Sequence, residues 1–145
     1  MSDIAEQVRT AVLQGAGRIS PAVADALAAA LGDADIVAGV SAFDGDLARC
    51  MVLCAGGFVM LEMTRGGDQL IVALPVWRIK RVVESRVAGV TRVTVELDAD
   101  RTVTTAQGDN TTVTTPAAYE VAQPAGLDDD VRAFASAVRT ALLAG

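Results

Sequence analysis

Between residues 36 and 115 the chain is a series of short Val- and Thr-rich segments separated by turn residues, and an amphipathic segment from Asp128 to Leu143 follows. Strand-like segments at roughly ten-residue spacing are typical of a sandwich or barrel. A sheet this short must bury its inner face against another layer. We predict an α+β, mainly β, fold: a small curved antiparallel sheet or partly open barrel, capped by the C-terminal amphipathic helix and preceded by an N-terminal helical hairpin.

The predicted strands are joined by turns rich in Gly and Asp. Residues 50–54 and 58–63 are nearly unbroken apolar runs, which indicates either central strands covered on both faces or a strand packed inside a barrel. Pro116 and Pro124 are expected to interrupt strand pairing. We place the strands near residues 36–43, 49–55, 58–64, 69–74, 77–86, 92–97, 101–106 and 111–115.

Two short helices are predicted before the strands. The first has apolar residues at helical spacing, and we expect Gly15-Ala16-Gly17 to end it. The second begins with Ser20 as N-cap and Pro21 at its first position, and Gly32 ends it. Its apolar face comprises Val23, Leu27 and Leu31.

We divide the chain into an N-terminal helical hairpin, residues 1–33, and a barrel with its C-terminal helix, residues 34–145, within one compact domain. The hairpin is expected to cover a sheet edge, and the alternative is a dimerisation or partner-docking arm. In the terminal helix, one apolar stripe is suited to sealing a barrel. It consists of Val131, Phe134, Ala135, Val138, Ala141 and Leu142.

Composition excludes several classes of function. The net charge of −6 argues against nucleic-acid binding, which depends on neutralising phosphates. Asp3 and Glu6 stand where a signal peptide would carry positive charge, and the longest apolar stretch, residues 50–61, is too short to span a bilayer. We therefore expect a cytoplasmic protein, with a virion component as the alternative.

No catalytic pattern is present in the sequence. The chain has no His, and it contains no Gly-rich phosphate loop or nucleophile elbow. Cys50 and Cys54 are expected to be buried free thiols, because residues four apart in a strand are too distant to bridge. We predict a non-enzymatic protein without cofactor, metal or evident small-molecule substrate.

The segment from Gln69 to Val82 has a strand that ends in Leu-Pro, followed by a strand with alternating bulky and basic residues. This segment, and the order of strands followed by one helix, resembles bacterial pleckstrin-homology-like (PH-like) domains over roughly residues 36–144. The resemblance implies a barrel whose open end the helix plugs. Phosphoinositide-binding relatives use basic residues in the first hairpin loop, but the matching residues 43–47 are acidic here. We therefore expect no stable membrane binding.

Two groups of residues are candidates for partner binding. The first is a basic cluster, expected to be a solvated face with cross-strand pairs to Glu84 or Glu96, and alternatively a patch for an acidic partner. Trp77 beside it is expected in the core, with an interface anchor as the alternative. The cluster comprises Arg78, Lys80, Arg81, Arg86 and Arg92.

The second group is a Thr-rich hairpin, expected to be a solvated edge, and alternatively an edge that pairs with another subunit. Its candidate residues are Thr102, Thr104, Thr112 and Thr114. The predicted function is a protein-interaction or scaffolding module with a protein partner or self-association. The alternative is a structural subunit of a larger assembly such as a bacteriophage particle or tail.

Overall fold

The structure, a computed structural model, describes residues 2–97, 101–104, 108, 110–113 and 117–144. A 3-10 turn, Val76–Arg78, joins the fourth strand to the fifth. In chain order the helices and strands are α1 (Ser2–Ile19), α2 (Pro21–Leu31), β1 (Ile36–Asp44), β2 (Leu47–Cys54), β3 (Gly57–Thr64), β4 (Gln69–Pro75), β5 (Ile79–Val87), β6 (Val90–Leu97), β7 (Arg101–Thr104), β8 (Asn110–Val113), β9 (Ala117–Pro124) and α3 (Asp129–Ala144).

The strands form two main antiparallel sheets and a separate ribbon. The first sheet has the order β1-β2-β3-β4, the second has the order β5-β6-β9, and β7 pairs with β8 alone. Over the described residues, no backbone pairing joins the two main sheets. The mainly β, α+β prediction is confirmed. In place of the predicted single curved sheet or partly open barrel, the described residues form two main sheets that are not closed into a barrel.

The larger core lies between the inner faces of the two main sheets and α3. Because successive strand residues point to opposite faces, β2 and β3 contribute every second side chain to it. Met51 pairs with Met60 and Leu53 pairs with Phe58. The second sheet contributes Val93, Val95 and Leu97, all on one face of β6.

A second core lies on the outer face of the first sheet, beneath α1 and α2. The alternate residues of β2, including Cys50 and Val52, face this core together with Leu27 of α2. The central strands are therefore covered on both faces, as their unbroken apolar runs predict. The N-terminal hairpin covers a sheet face rather than only an edge, which corrects the sequence-based expectation.

The close approach of α1 to β1 depends on Gly39. A Cβ atom at this position would lie 2.7 Å from Cγ1 of Val12, closer than non-bonded carbons approach in proteins. Glycine therefore allows the helix to lie directly against the strand.

The two N-terminal helices differ in how well the sequence predicts their ends. The Ser20 hydroxyl accepts a hydrogen bond from the Val23 N–H at 3.2 Å, and Gly32 follows the last turn of α2 with φ 54°. Both ends of α2 are therefore confirmed. In contrast, α1 continues through Gly15 and Gly17 to Ile19. The roughly 1 kcal/mol helix penalty of each glycine is offset by tertiary packing, since Ala16 between them is fully buried.

Strand β9 is not predicted, because prolines at its two ends indicate interruption. Pro116 lies outside the described residues, but Pro124 is the last residue of β9 and pairs with Val90. Strand β9 is the outer strand of its sheet, where a missing backbone N–H is tolerated. The strand supplies Tyr119 and Val121 to the larger core.

Helix α3 packs its predicted apolar stripe into the larger core. The first four predicted residues of the stripe are buried, with Phe134 0% exposed, while Ala141 and Leu142 are partly buried against the same core. The predicted apolar stripe is therefore confirmed, and its burial is complete from Val131 to Val138 and partial in the last turn.

Candidate functional site

The predicted basic cluster lies mainly on β5 and β6, and strand alternation divides it between the two faces of the second sheet. The register pairs Arg81 with Glu96 and Ser85 with Arg92, which places Arg81 and Arg92 on the outer face. Arg86 pairs with Thr91, whose side chain is buried, so Arg86 belongs to the inner face at its margin. The cluster is therefore not one continuous patch.

On the outer face, the two arginines are neutralised by carboxylates of neighbouring strands. Arg81 donates to Glu96 through Nε and, at 3.1 Å, through Nη2, while Arg92 Nε lies 3.0 Å from Glu120 Oε1. The Arg81 hydrogen bond lowers the pKa of Glu96, and the same bond raises the pKa of Arg81. The predicted cross-strand pair with Glu96 is confirmed.

Glu84, the other carboxylate considered for the cluster, pairs with the terminal helix instead. Glu84 lies on the inner margin of β5, where it faces α3 rather than a neighbouring strand. Arg139 Nη1 of α3 donates to Glu84 Oε1 at 3.1 Å. This ion pair therefore ties the terminal helix to the second sheet.

Arg86 takes part in a polar cluster at the start of α3. Its Nη2 lies 3.6 Å from Asp128 Oδ2, the buried Thr91 hydroxyl donates to the same oxygen, and the Gly126 N–H donates to Oδ1 at 3.3 Å. The Thr91 hydrogen bond is the main cause of a lowered pKa of Asp128. The carboxylate therefore joins β5, β6 and the segment that enters α3.

We expect Asp128→Asn to destabilise the protein at neutral pH and to lose this effect in acid. A carboxyl group whose pKa is lowered by folding stabilises the native state above its unfolded pKa, about 4, and this contribution disappears as pH falls through the lower folded value. Urea unfolding of the parent and Asp128→Asn at pH 7 and pH 3 measures the difference. The exposed Asp129→Asn is the matched control, and a parent–Asp128→Asn gap that persists unchanged at pH 3 would contradict the assignment.

Trp77 is exposed, so the expectation that it lies in the core is wrong. The 3-10 turn leaves its side chain 73% exposed, and the guanidinium carbon of Arg78 lies 4.7 Å from the centroid of its ring. This distance is that of a cation–π contact. Trp77 is the chain's single tryptophan, in a sequence with 3% aromatic residues.

The backbone around Trp77 is fixed by neighbouring elements. The Val76 N–H donates to the Gly56 carbonyl at 3.1 Å, which attaches the turn to the β2–β3 connection. Val76 packs against the larger core, and Ile79 immediately after the turn is buried in it. Lys80 follows as an exposed residue. The backbone on both sides of Trp77 is therefore held in place, and the turn with the start of β5 carries an exposed indole and two cations.

The Thr-rich hairpin exists as the β7–β8 ribbon. Thr102 of β7 and Thr112 of β8 are register partners, and Thr104 pairs with Asn110. Thr114 lies outside the described residues. The ribbon confirms a hairpin at this place.

A concave region surrounds Phe43, a residue that is not among the candidates predicted from the sequence. Phe43 is 52% exposed and borders three hollows of about 540, 120 and 510 Å³. Here β1 approaches β9 without backbone pairing: Gln123 Nε2 donates to the Ser41 carbonyl at 3.4 Å, and Arg49 Nη1 donates to the Glu120 carbonyl at 3.3 Å. The hollows of about 540 and 120 Å³ lie at this corner, where side chains connect the two sheets, whereas the hollow of about 510 Å³ lies between the N-terminal helices and the first sheet.

The cysteines fit their predicted state. Cys50 and Cys54 are free and buried, and burial raises the pKa of each thiol. The Ser41 hydroxyl donates to Cys50 Sγ at 3.2 Å. Among the described residues, no three His, Cys, Asp or Glu side chains are grouped as metal ligands.

Comparison of the chain with protein-family models, with curated proteins and with solved structures gave no match. In the described part of the chain, no helix has the length and apolar character needed to cross a membrane.

Proposed function

We propose that this protein is a non-enzymatic interaction module built on a PH-like scaffold. A four-stranded antiparallel sheet, a three-stranded antiparallel sheet and a C-terminal helix packed between them follow one another along the chain, with the β7–β8 ribbon between the last two strands of the second sheet. This order of parts supports the proposal. The additional N-terminal helices stabilise the outer face of the first sheet.

The observation that carries the proposal is the exposure of Trp77. The Trp77 side chain, 73% exposed, leaves a large apolar surface in water. The core itself is built mainly from smaller aliphatic residues. Tryptophan and arginine are the residues most enriched among binding hot spots. Trp77 with Arg78 stacked on it is therefore suited to anchor a partner.

The first hairpin does not favour a lipid headgroup site. Its turn contains Gly45 and Asp46, and Asp46 Oδ1 lies 3.3 Å from Arg65 Nε. A cation beside this turn, Arg65, is thus paired with an acid at the position where phosphoinositide-binding PH-like domains place free basic residues. A protein partner agrees better with this arrangement than a phosphorylated lipid.

We expect Trp77→Ala to weaken capture of the native partner by at least about tenfold, because truncating a hot-spot tryptophan removes about 2 kcal/mol or more of binding free energy. Affinity purification from the source organism, with quantitative mass spectrometry, compares the parent with Trp77→Ala. Val87→Ala is the matched control, since Val87 is 67% exposed at the far end of β5, roughly 26 Å along the strand.

Both variants should unfold at the temperature of the parent, since both side chains are exposed. Partners retained equally by the parent and Trp77→Ala would contradict the proposal.

A second candidate function is a structural subunit of a larger assembly, and the β7–β8 ribbon favours it. In the described residues this ribbon pairs with no other strand, and an isolated two-stranded ribbon is marginally stable in water. Its edges could pair with a neighbouring subunit. Rings or higher oligomers in multi-angle light scattering would support this second candidate, whereas a monomer or dimer supports the interaction module.

A further inference from the structure

We infer that the partner of the Trp77 surface, defined as Trp77, Arg78 and Lys80, is an acidic segment of a protein that carries an apolar side chain. The inference rests on the proposed function and adds the chemistry of the partner. The indole would contact the apolar side chain, and the two cations would bind carboxylates on either side of it.

The ion pairs of the predicted basic cluster leave positive charge beside Trp77. Of the five bases in the predicted cluster, Arg81, Arg86 and Arg92 each have a carboxylate partner. Counting the described residues, the other two, Arg78 and Lys80, belong to the Trp77 surface and contribute +2 beside an Arg81–Glu96 pair that sums to zero, and the charge of Lys80 also lowers the pKa of Glu96. Positive charge is thus concentrated next to the exposed indole in a protein whose net charge is −6.

The arrangement of these groups suits a carboxylate. Arg78 lies over the Trp77 ring, which orients its guanidinium before any partner arrives and reduces the side-chain entropy lost on binding. Guanidinium groups bind carboxylates through two parallel hydrogen bonds. The turn itself is held by the Val76 hydrogen bond and by buried Ile79, so the surface is preorganised.

The number of cations favours a short protein segment over a polyanion. Nucleic-acid binding draws on about 6–10 phosphate contacts, and a membrane surface contributes only about 1 kcal/mol for each basic residue. Two cations are too few for the phosphate contacts of nucleic-acid binding and would add only weak attraction to a membrane. The overall negative charge of the protein repels both kinds of surface. A tryptophan with one cation stacked on its ring and a second three residues further along the chain can instead bind one apolar side chain together with neighbouring carboxylates.

Selection from a displayed random peptide library tests the inference. The parent protein serves as bait and Trp77→Ala serves as the counter-selection, so that only peptides that need the indole are kept. We expect the enriched peptides to carry an excess of Asp and Glu around an apolar residue. Enrichment of neutral or basic peptides, or no enrichment that depends on Trp77, would overturn the inference.

The best acidic peptide, synthesised without tryptophan, then allows a direct measurement. Because the chain has one tryptophan, a change of intrinsic emission on titration reports on the Trp77 surface. By calorimetry, Arg78→Ala combined with Lys80→Ala should weaken binding by about three- to tenfold and reduce its sensitivity to salt. Arg18→Ala combined with Arg132→Ala is the control, because it removes the same charge at exposed positions on α1 and α3.

The outcomes separate this inference from the proposed function. If the native partner needs Trp77 but binding is unchanged in Arg78→Ala/Lys80→Ala, the acidic chemistry is wrong and the interaction module stands. If the native partner is also captured by Trp77→Ala, the proposed function fails. Binding of phosphatidylserine vesicles that requires Trp77 would identify a membrane ligand and overturn the inference.

Discussion

Phe134→Ala should lower the free energy of unfolding by about 3–5 kcal/mol, a large part of the 5–15 kcal/mol that is typical of a domain. Phe134 is fully buried in the core shared by α3 and the two main sheets. Its truncation would leave a cavity that cannot collapse easily, because two sheets and a helix fix the walls. Urea unfolding followed by far-UV circular dichroism measures the loss.

Leu142→Ala, on the same helix, shows whether the loss of stability follows the degree of burial. Leu142 is only partly buried against the core, so its truncation removes less apolar area and should have a clearly smaller effect. Equal losses for the two variants would mean that the last turn packs as tightly as the first half of α3. A Phe134→Ala protein as stable as the parent would show that α3 does not complete the core.

Gly39→Ala should destabilise the protein by about 1–3 kcal/mol, although it adds a single methyl group. The new Cβ would lie 2.7 Å from Cγ1 and 2.9 Å from Cγ2 of Val12, and a β-branched side chain has little rotamer freedom with which to move away. Helix α1 must therefore shift on the sheet. Thermal and urea unfolding of the two proteins measure the effect.

A double-mutant cycle assigns this effect to the contact between helix and strand. In a Val12→Ala background the crowding is relieved, so adding Gly39→Ala should change stability very little. Gly15→Ala is the matched glycine control, because nothing lies within 4 Å of a Cβ there and alanine raises helix propensity by up to about 1 kcal/mol. Equal losses from Gly39→Ala in both backgrounds would contradict the assignment.

Elements governed by local chemistry could be predicted from the sequence. Ser20, Pro21 and Gly32 carry the signals that begin and end a helix, and α2 has those ends. The unbroken apolar runs of β2 and β3 predicted strands buried on both faces, and two cores indeed cover them. In each case the structure depends on residues that are adjacent in the sequence.

Features that depend on distant residues could not be predicted in this way. Asp128 lies 37 residues from Thr91, so no local pattern shows its bond to β6. Strand β9 pairs despite Pro124 because it lies at the edge of its sheet. Trp77 is predicted in the core, whereas the 3-10 turn leaves its side chain exposed.

The pairing of β6 with β9 has a consequence for how such a chain can change. Leu97, the last residue of β6, is the register partner of Ala117, the first residue of β9. When a connection leaves and re-enters a sheet at one point, the entropic cost of closing it rises only slowly as the connection becomes longer. The point between these two residues, where the β7–β8 ribbon is inserted, is therefore one at which descendants of this chain, or an engineer, can graft a new recognition element while both cores stay intact.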